Sequence, residues 1–178
     1  MRNIHPLIFF LLLLLFAQPV YSGCDEDLSP TTPDSQFDVD NVNGVVTDKK
    51  TGLIWKKCLS GQTGSDCSGG ALETYNWTDA LGLPSQESSD GWRLPNIKEL
   101  QSLVEEQCFQ PAINATIFPN TPNPSNVWSN SPDSSDITKA WYVTFHGTGG
   151  NGYGNTLVEP QINSSNMHVR LVRDTPLP

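Results

Sequence analysis

Basic residues are scarce in this sequence. Lys and Arg together number 10, against 19 Asp and Glu, and the formal net charge at pH 7 is −9. Nucleic acids and anionic membranes bind proteins through clusters of Lys and Arg, and a strongly acidic chain is repelled by them. The composition therefore argues against nucleic acid and anionic membrane as partners, and more weakly against heavily sulfated glycans.

Long hydrophobic runs are also scarce. The apolar run over residues 7–17 is shorter than the roughly 20 residues that a transmembrane helix requires. Arg2 precedes this run, and Ser22 follows it as a small residue of the kind that signal peptidases require at the cleavage site. We therefore predict a signal peptide over residues 1–22, no transmembrane segment, and export to the periplasm, the outer surface or the extracellular space.

Catalytic motifs are missing as well. The three histidines are His5, which lies in the predicted signal peptide, and His146 and His168, which lie far apart in the chain. The sequence has no Gly-x-Ser-x-Gly nucleophile elbow and no His-Glu-x-x-His zinc motif. We therefore expect no enzymatic activity, no cofactor and no metal site.

Four cysteines follow the predicted signal peptide. Cys58 and Cys67 bracket a loop rich in Gly and Ser, which predicts a local disulfide, and no nearby Cys or His completes a tetrahedral zinc site. Cys24 has two interpretations, because the residues before it loosely match a bacterial lipobox and would make it a lipid anchor. Pairing Cys24 with Cys108 instead leaves no odd thiol in an oxidising compartment, so we favour the disulfide.

The rest of the chain divides into an extended leader over 23–43, rich in Asp, Ser and Pro, and one domain over 44–178. A turn sequence between two runs of β-branched and apolar residues predicts a hairpin over 44–57. Alternation of apolar and polar residues predicts two further strands, at 140–146 and 167–173.

Two helices are predicted from their capping residues. Asn76 precedes a short helix, and Asn96 precedes a longer one that we expect to end near Glu106. Glu99, three residues after Asn96, completes a capping box. The apolar residues of the longer helix fall on one face, which indicates a core-facing stripe.

Large and charged side chains of the domain have predicted structural roles. Three tryptophans are expected in the core: Trp55, Trp92 and Trp141. Arg93 is expected to fix loops through its five hydrogen-bond donors. We expect Arg170 and Arg173 to pair with acidic residues of the first hairpin.

Several short blocks occur in an order that resembles a known family. The most specific are Trp92-Arg93-Leu94-Pro95-Asn96 and Val169-Arg170-Leu171-Val172-Arg173. From about Thr32 to Asp174, the chain resembles a family of secreted bacterial domains of unknown function, best known from the C-terminal domain of the Legionella collagen-like adhesin. The resemblance implies a C-type-lectin-like α+β fold, in which two helices flank a small antiparallel sheet and the N- and C-terminal strands meet.

The resemblance also implies binding of sulfated host glycans by a trimeric domain. This chain departs from that pattern, because it has no Gly-x-y repeat to drive trimerisation and is strongly acidic. We therefore expect an exported binding module that contacts carbohydrate in an adhesin-like role. The alternative is a structural or assembly module without a small-molecule ligand.

A ligand region follows from the resembled fold, in which long loops after the second helix meet the ligand. These loops correspond to about residues 120–166, where Lys139 is the only Lys or Arg. A neutral glycan fits such a region better than a sulfated one, since sulfate recognition requires clustered Arg or Lys. The candidate ligand-binding residues are Asn130, His146, Asn151 and Tyr153.

Overall fold

The structure is a computed structural model that describes residues 23–86, 90–146 and 158–174. Within these ranges the chain combines short helices with small antiparallel sheets. The strands are β1 (Gly23–Cys24), β2 (Phe37–Asp40), β3 (Val45–Asp48), β4 (Leu53–Lys56), β5 (Gln62–Thr63), β6 (Gly69–Gly70), β7 (Cys108–Phe109), β8 (Asn126–Pro132), β9 (Lys139–Thr144), β10 (Val158–Ile162) and β11 (Val172–Asp174). The α-helices are α1 (Trp77–Gly82) and α2 (Ile97–Gln101).

A four-stranded antiparallel sheet, in the order β11-β4-β3-β2, contains the predicted hairpin. Within the hairpin, Val46 of β3 pairs with Trp55 of β4. The turn passes through Gly52, whose φ of +74° is a left-handed conformation that favours glycine. The prediction of a hairpin over 44–57 is confirmed.

The leader is more structured than the sequence analysis expected. Its strand β2 forms the edge of the four-stranded sheet, where Phe37 pairs with Asp48. The Phe37 side chain is buried and meets the Phe118 ring edge to face, with 5.6 Å between the ring centres. Burial of this ring is the physical reason why the leader joins the domain although its composition is polar.

A three-stranded antiparallel sheet, in the order β10-β9-β8, forms the second layer of strands. Val127 of β8 pairs with Val143 of β9, in the strand predicted at 140–146. On its other side β8 meets His168, whose backbone N–H donates to the carbonyl of Asn126 at 2.9 Å. The segment containing His168 then continues into β11, so one short stretch of chain connects the two sheets.

Two hydrophobic clusters fill the interior. The first contains Trp55, Leu100, Phe118 and Val143 among others, and the second contains Trp92, Trp128 and Tyr142 among others. Alternate residues of β4 contribute to both clusters: Trp55 belongs to the first, and Ile54 packs against the second. The four-stranded sheet is therefore covered on both faces.

Both predicted helix starts are confirmed. The Asn76 side chain caps α1 by accepting a hydrogen bond from the backbone N–H of Asp79. Asn96 and Glu99 form the complete capping box at the start of α2. Each such cap satisfies backbone N–H groups that have no partner within the helix.

The predicted end of the second helix near Glu106 is wrong, because α2 ends at Gln101. Beyond that point Val104 forms an isolated bridge with Ile113, and the backbone N–H of Glu105 donates to the carbonyl of Ala112 at 3.2 Å. These contacts take the place of helical hydrogen bonds. The last apolar residues of the predicted stripe therefore lie after the end of α2, in a turn and the bridge that follows it.

The prediction for Arg93 is confirmed. Its guanidinium binds both carboxylate oxygens of Glu99, at 2.7 and 2.8 Å, and one oxygen of Asp174 at 3.1 Å. The hydrogen bonds to Glu99 are the main reason why the pKa of Arg93 is raised above its ordinary value. Arg93 thereby ties the start of α2 to β11.

The prediction for Arg170 and Arg173 is wrong. Arg170 is fully buried, and its guanidinium donates to the backbone carbonyls of Lys56 and Lys57, not to a carboxylate. Arg173 stacks over Trp92, with its guanidinium carbon 4.8 Å from the ring centre. Carbonyl oxygens and ring faces satisfy these cations where acidic side chains were expected.

Two of the three tryptophans predicted in the core are there. Trp55 and Trp92 are buried, whereas Trp141 is half-buried. Trp141 pairs with Pro160 of the edge strand β10 and belongs to neither hydrophobic cluster. Trp128, which was not among the three predicted, is fully buried.

The expectation of a mixed α and β fold with small antiparallel sheets and two disulfides is confirmed. One detail implied by the resemblance differs, because β2 and β11 lie at opposite edges of the four-stranded sheet and do not pair. The hairpin β3–β4 separates them.

Candidate functional site

One surface cavity in the described part of the chain, larger than the one beside the Cys58–Cys67 loop, lies between the leader and the segment that follows α2. Its volume is about 450 Å³, within the usual range for small-molecule sites. We call it the leader cleft and define it by its lining: Gly23, Cys24, Pro30, Pro33, Asp34, Glu105, Gln107, Cys108, Phe109, Gln110, Pro111, Ile113, Asn114, Ala115 and Thr116.

A disulfide between Cys24 and Cys108 closes one end of the leader cleft. The same two residues pair in the two-stranded sheet of β1 and β7, where Gly23 also pairs with Phe109. A second disulfide joins Cys58 to Cys67 in the Gly/Ser-rich loop. Both pairings are those expected from the sequence, and Cys24–Cys108 fixes the leader against the domain.

Glu105 holds the leader in place with both of its carboxylate oxygens. One oxygen accepts from the backbone N–H of Thr31 at 2.9 Å, and the other accepts from the N–H and the hydroxyl of Thr32 at 2.7 and 2.8 Å. The backbone N–H of Gln107 adds a further hydrogen bond at 3.0 Å. All of these donors are neutral, and Glu105 itself is only 2% exposed.

The pKa of Glu105 reflects this environment. Burial favours the neutral acid and raises the pKa, but the hydrogen bonds from the Thr31, Thr32 and Gln107 backbones favour the carboxylate and outweigh it. The net result is a pKa below the ordinary value for glutamate. Glu105 is therefore an anion at neutral pH whose hydrogen-bonding capacity is used within the protein.

Asn114 connects the floor of the leader cleft to its rim. Its side-chain amide donates to the carbonyl of Thr32 at 2.9 Å and to one carboxylate oxygen of Asp34 at 2.7 Å. Its side-chain oxygen accepts from the backbone N–H groups of Thr116 and Ile117. Asn114 is buried, whereas Asp34 is exposed.

Gln110 lies on the opposite wall, next to the half-buried ring of Phe109. Its backbone φ is +55°, and its N–H donates to the carbonyl of His146 at 2.7 Å. Its side-chain oxygen is buried and has no hydrogen-bond donor among the residues that the structure describes. An unpaired buried acceptor is costly, and since less than 1 Å² of this atom is exposed, a ligand in the cleft does not reach it.

The electrostatic character of the leader cleft is acidic. Among the residues that the structure describes, its lining contains the carboxylates of Asp34 and Glu105 and no Lys, Arg or His. Pro30, Pro111 and the Phe109 ring supply apolar surface. The arrangement can receive hydrogen-bond donors and apolar faces, and it disfavours anions.

Two of the predicted ligand residues, Asn130 and His146, lie at opposite ends of the β8–β9 pair. The Asn130 amide donates to the carbonyl of Leu94 at 3.3 Å, and its backbone N–H donates to the carbonyl of Pro95. Asn130 therefore stabilises the loop before α2. His146 lies at the other end of the β8–β9 pair, where Nδ1 is 2.6 Å from the side-chain oxygen of Asn123. Asn151 and Tyr153 lie outside the described residues.

His146 is nevertheless adjacent to the leader cleft, because its carbonyl holds the backbone of Gln110. The sequence analysis missed the residues of the leader cleft itself: Asp34, Glu105, Gln107, Gln110 and Asn114. The predicted Cys24–Cys108 disulfide was the signal that could have located them, since it places the leader beside the segment after α2.

The smaller cavity, of about 220 Å³, lies beside the Gly-rich loop closed by Cys58 and Cys67. Among the described residues, no group of three or more His, Cys, Asp or Glu is placed to hold a metal ion. In the same ranges no helix has the length and apolar character needed to cross a membrane.

Comparison with known proteins identifies one family. Residues 44–173 match the family model of the Lcl C-terminal domain, which is most of the chain. No curated protein and no solved structure matches the chain. The matched residues include the hairpin, both helices and the wall of the leader cleft formed after α2. The chain therefore belongs to the Lcl C-terminal domain family.

Proposed function

We propose that this protein is an exported binding module that contacts carbohydrate through the leader cleft. The observation that carries this proposal is the combination, in one cleft of about 450 Å³, of the exposed Asp34 carboxylate with apolar ring surface. A pyranose ring has hydroxyl groups on its edge and an apolar C–H face, and it requires both kinds of surface.

Membership of the Lcl C-terminal domain family supports a surface role, because the family takes its name from a collagen-like surface protein. An adhesin-like role is compatible with this membership. The sequence has no collagen-like Gly-x-y repeat of the kind that drives trimerisation.

Export is supported by the two disulfides, which form and persist in oxidising compartments. The Cys24–Cys108 bond also bears on membrane attachment. A lipid anchor would occupy the sulfur of Cys24, and that sulfur is bonded to Cys108. We therefore propose an exported protein without a lipid anchor at Cys24.

We also propose that the protein is not an enzyme. Both described histidines hydrogen bond to neutral oxygens: His146 to the side chain of Asn123, and His168 to the backbone carbonyl of Glu73 at 3.1 Å. A catalytic histidine is usually oriented by a carboxylate and lies within reach of a nucleophile. Neither histidine has such a partner among the described residues.

A glycan array probed with the disulfide-intact protein tests the binding proposal. We expect reproducible binding to a subset of glycans, weakened by Phe109→Ala, which removes the aromatic wall of the leader cleft. Ile137→Ala is the matched control, because Ile137 is 85% exposed and lies outside the cleft. An array without reproducible binding would favour the alternative, a structural or assembly module.

A further inference from the structure

We propose that the leader cleft selects sugars that carry a free amine, through the carboxylate of Asp34. This inference rests on the proposed function and specifies its ligand class. An amino sugar in its ammonium form combines hydroxyl and N⁺–H donors with the apolar face of a pyranose ring. The argument depends on which acceptors in the cleft are already used and which are free.

The side chains of Glu105 and Asn114 already have hydrogen-bond partners within the protein. Both oxygens of Glu105 accept hydrogen bonds from the leader and from Gln107. The side-chain amide and oxygen of Asn114 are likewise engaged, with Thr32, Asp34 and the following turn. These two buried residues shape the cleft and leave ligand recognition to other groups.

Asp34 has free capacity. Among the described residues it accepts one hydrogen bond, on Oδ1 from Asn114, so Oδ2 is available to a ligand at the exposed rim. The Gln110 side-chain oxygen, by contrast, has less than 1 Å² of exposed surface, so a ligand in the cleft does not reach it. The free group at the rim is an acceptor, so the complementary ligand is a donor.

The charge of the cleft distinguishes an amine from a neutral hydroxyl group. A hydrogen bond between an ammonium and a carboxylate is roughly twice as strong as a neutral one. Among the described residues no Lys, Arg or His lines the cleft, so the negative charge of Asp34 is not neutralised there. Sulfate and carboxylate groups of acidic glycans would face an unfavourable charge at the same position.

The apolar walls complete the match. Phe109, Pro30 and Pro111 offer apolar surface in the same cleft as Asp34. A purely ionic ligand such as ammonium would leave this surface unused. An oligosaccharide that carries amines uses both the carboxylate and the walls.

The test compares three tetrasaccharides as ligands of the full chain with both disulfides formed: fully deacetylated chitosan tetramer, fully N-acetylated chitin tetramer, and a heparin tetramer. Titrations by calorimetry and by amide chemical shifts are run at mildly acidic pH, where the sugar amines are protonated. We expect the deacetylated tetramer to bind about tenfold more tightly than the acetylated one, which corresponds to about 1.4 kcal/mol. Heparin should bind weakest.

Two variants and a matched control locate the effect. Asp34→Asn should remove the preference for the free amine while keeping the contact with Asn114. Phe109→Ala, which removes the aromatic wall, should weaken both chitin-derived ligands. Asp27→Asn removes the same charge from an exposed leader residue outside the cleft and should change nothing. Thermal melting of each variant checks that it is folded.

The outcomes separate this inference from the proposed function. If glycans bind at the cleft but the amine preference is absent, survives Asp34→Asn, or is exceeded by binding of heparin, the inference is overturned and the proposed function stands. If glycans perturb residues 120–146 and not the cleft, the inference is overturned, and of the proposed function only carbohydrate binding stands, at a different place. If no glycan binds, both are overturned.

Discussion

The guanidinium carbon of Arg170 lies 4.7 Å from the centre of the Phe118 ring, in a fully buried site. The guanidinium donates to the carbonyl of Lys56 at 2.9 Å, to that of Lys57, and to the hydroxyl of Thr121 at 3.3 Å. Burial lowers the pKa of Arg170 to about 9, so the side chain is still a cation at pH 7. Carbonyl dipoles and a ring face thus hold this charge in the core.

Replacing Arg170 by Met should reduce the free energy of unfolding by about 2–4 kcal/mol. Met conserves most of the side-chain length but leaves the Lys56 and Lys57 carbonyls without their donor, at about 1–3 kcal/mol for each unpaired group. Urea unfolding monitored by tryptophan fluorescence gives the value. Arg173→Met, a half-buried arginine that stacks on Trp92, should cost about 1 kcal/mol or less and serves as the control. Equal losses would contradict this account.

Local signals predicted a large part of the fold. Gly52 lies in a turn between two β-branched runs, and Asn96 and Glu99 are three residues apart, so their roles depend only on neighbours in sequence. Arg170 is different, because its partner Lys56 is 114 residues away. An isolated sequence shows the cation but not the carbonyls that meet it, and a salt bridge was therefore expected.

The candidate site was missed for the same physical reason. The leader has a polar composition, which is typical of an extended segment, and its packing depends on distant groups. Glu105 binds Thr31 across 74 residues, and Asn114 binds Thr32 across 82. Only the predicted Cys24–Cys108 disulfide connected these two regions in the sequence.

Removing the cap of α2 should destabilise the domain. Asn96→Ala deletes the side-chain oxygen that accepts from the backbone N–H groups of Lys98 and Glu99, both at 2.9 Å. The expected loss is about 1 kcal/mol, within the range of about 0.5–2 kcal/mol for such caps. Asn96→Asp retains an acceptor and should remain within a few tenths of a kcal/mol of the native protein in the same urea experiment.

The loss in Asn96→Ala should be accompanied by weaker protection of the amides of Lys98 and Glu99 against hydrogen exchange. Destabilisation of equal size in Asn96→Asp would show that the cap hydrogen bonds are not the cause.

The two disulfides should contribute unequally to stability. Cys24–Cys108 joins residues 84 positions apart, whereas Cys58–Cys67 joins residues 9 apart. In the chain-entropy model a longer loop restricts the unfolded chain more, by about 4–5 kcal/mol for the first bond and about 2–3 kcal/mol for the second. Urea unfolding of the two double Cys→Ala variants gives the comparison. A larger loss for Cys58–Cys67 would contradict the entropic explanation.

The stabilisation that the Glu105 carboxylate gives to the leader should depend on pH in a defined direction. Because its folded-state pKa lies below the ordinary value, its contribution is fully present above about pH 4.3, the usual glutamate pKa, and is lost as the pH falls through the lower folded-state value. The amide protons of Thr31, Thr32 and Gln107 donate to this carboxylate, so their chemical shifts should titrate together. Glu105→Gln should abolish this shared titration and increase hydrogen exchange at the two threonines.

The control is Glu106→Gln, at the exposed neighbouring position, which should leave the shared titration unchanged. A shared titration that persists in Glu105→Gln would assign the effect to another carboxylate, of which Asp34 is the nearest along the leader. That result would remove Glu105 as the residue that anchors the leader and shapes the cleft.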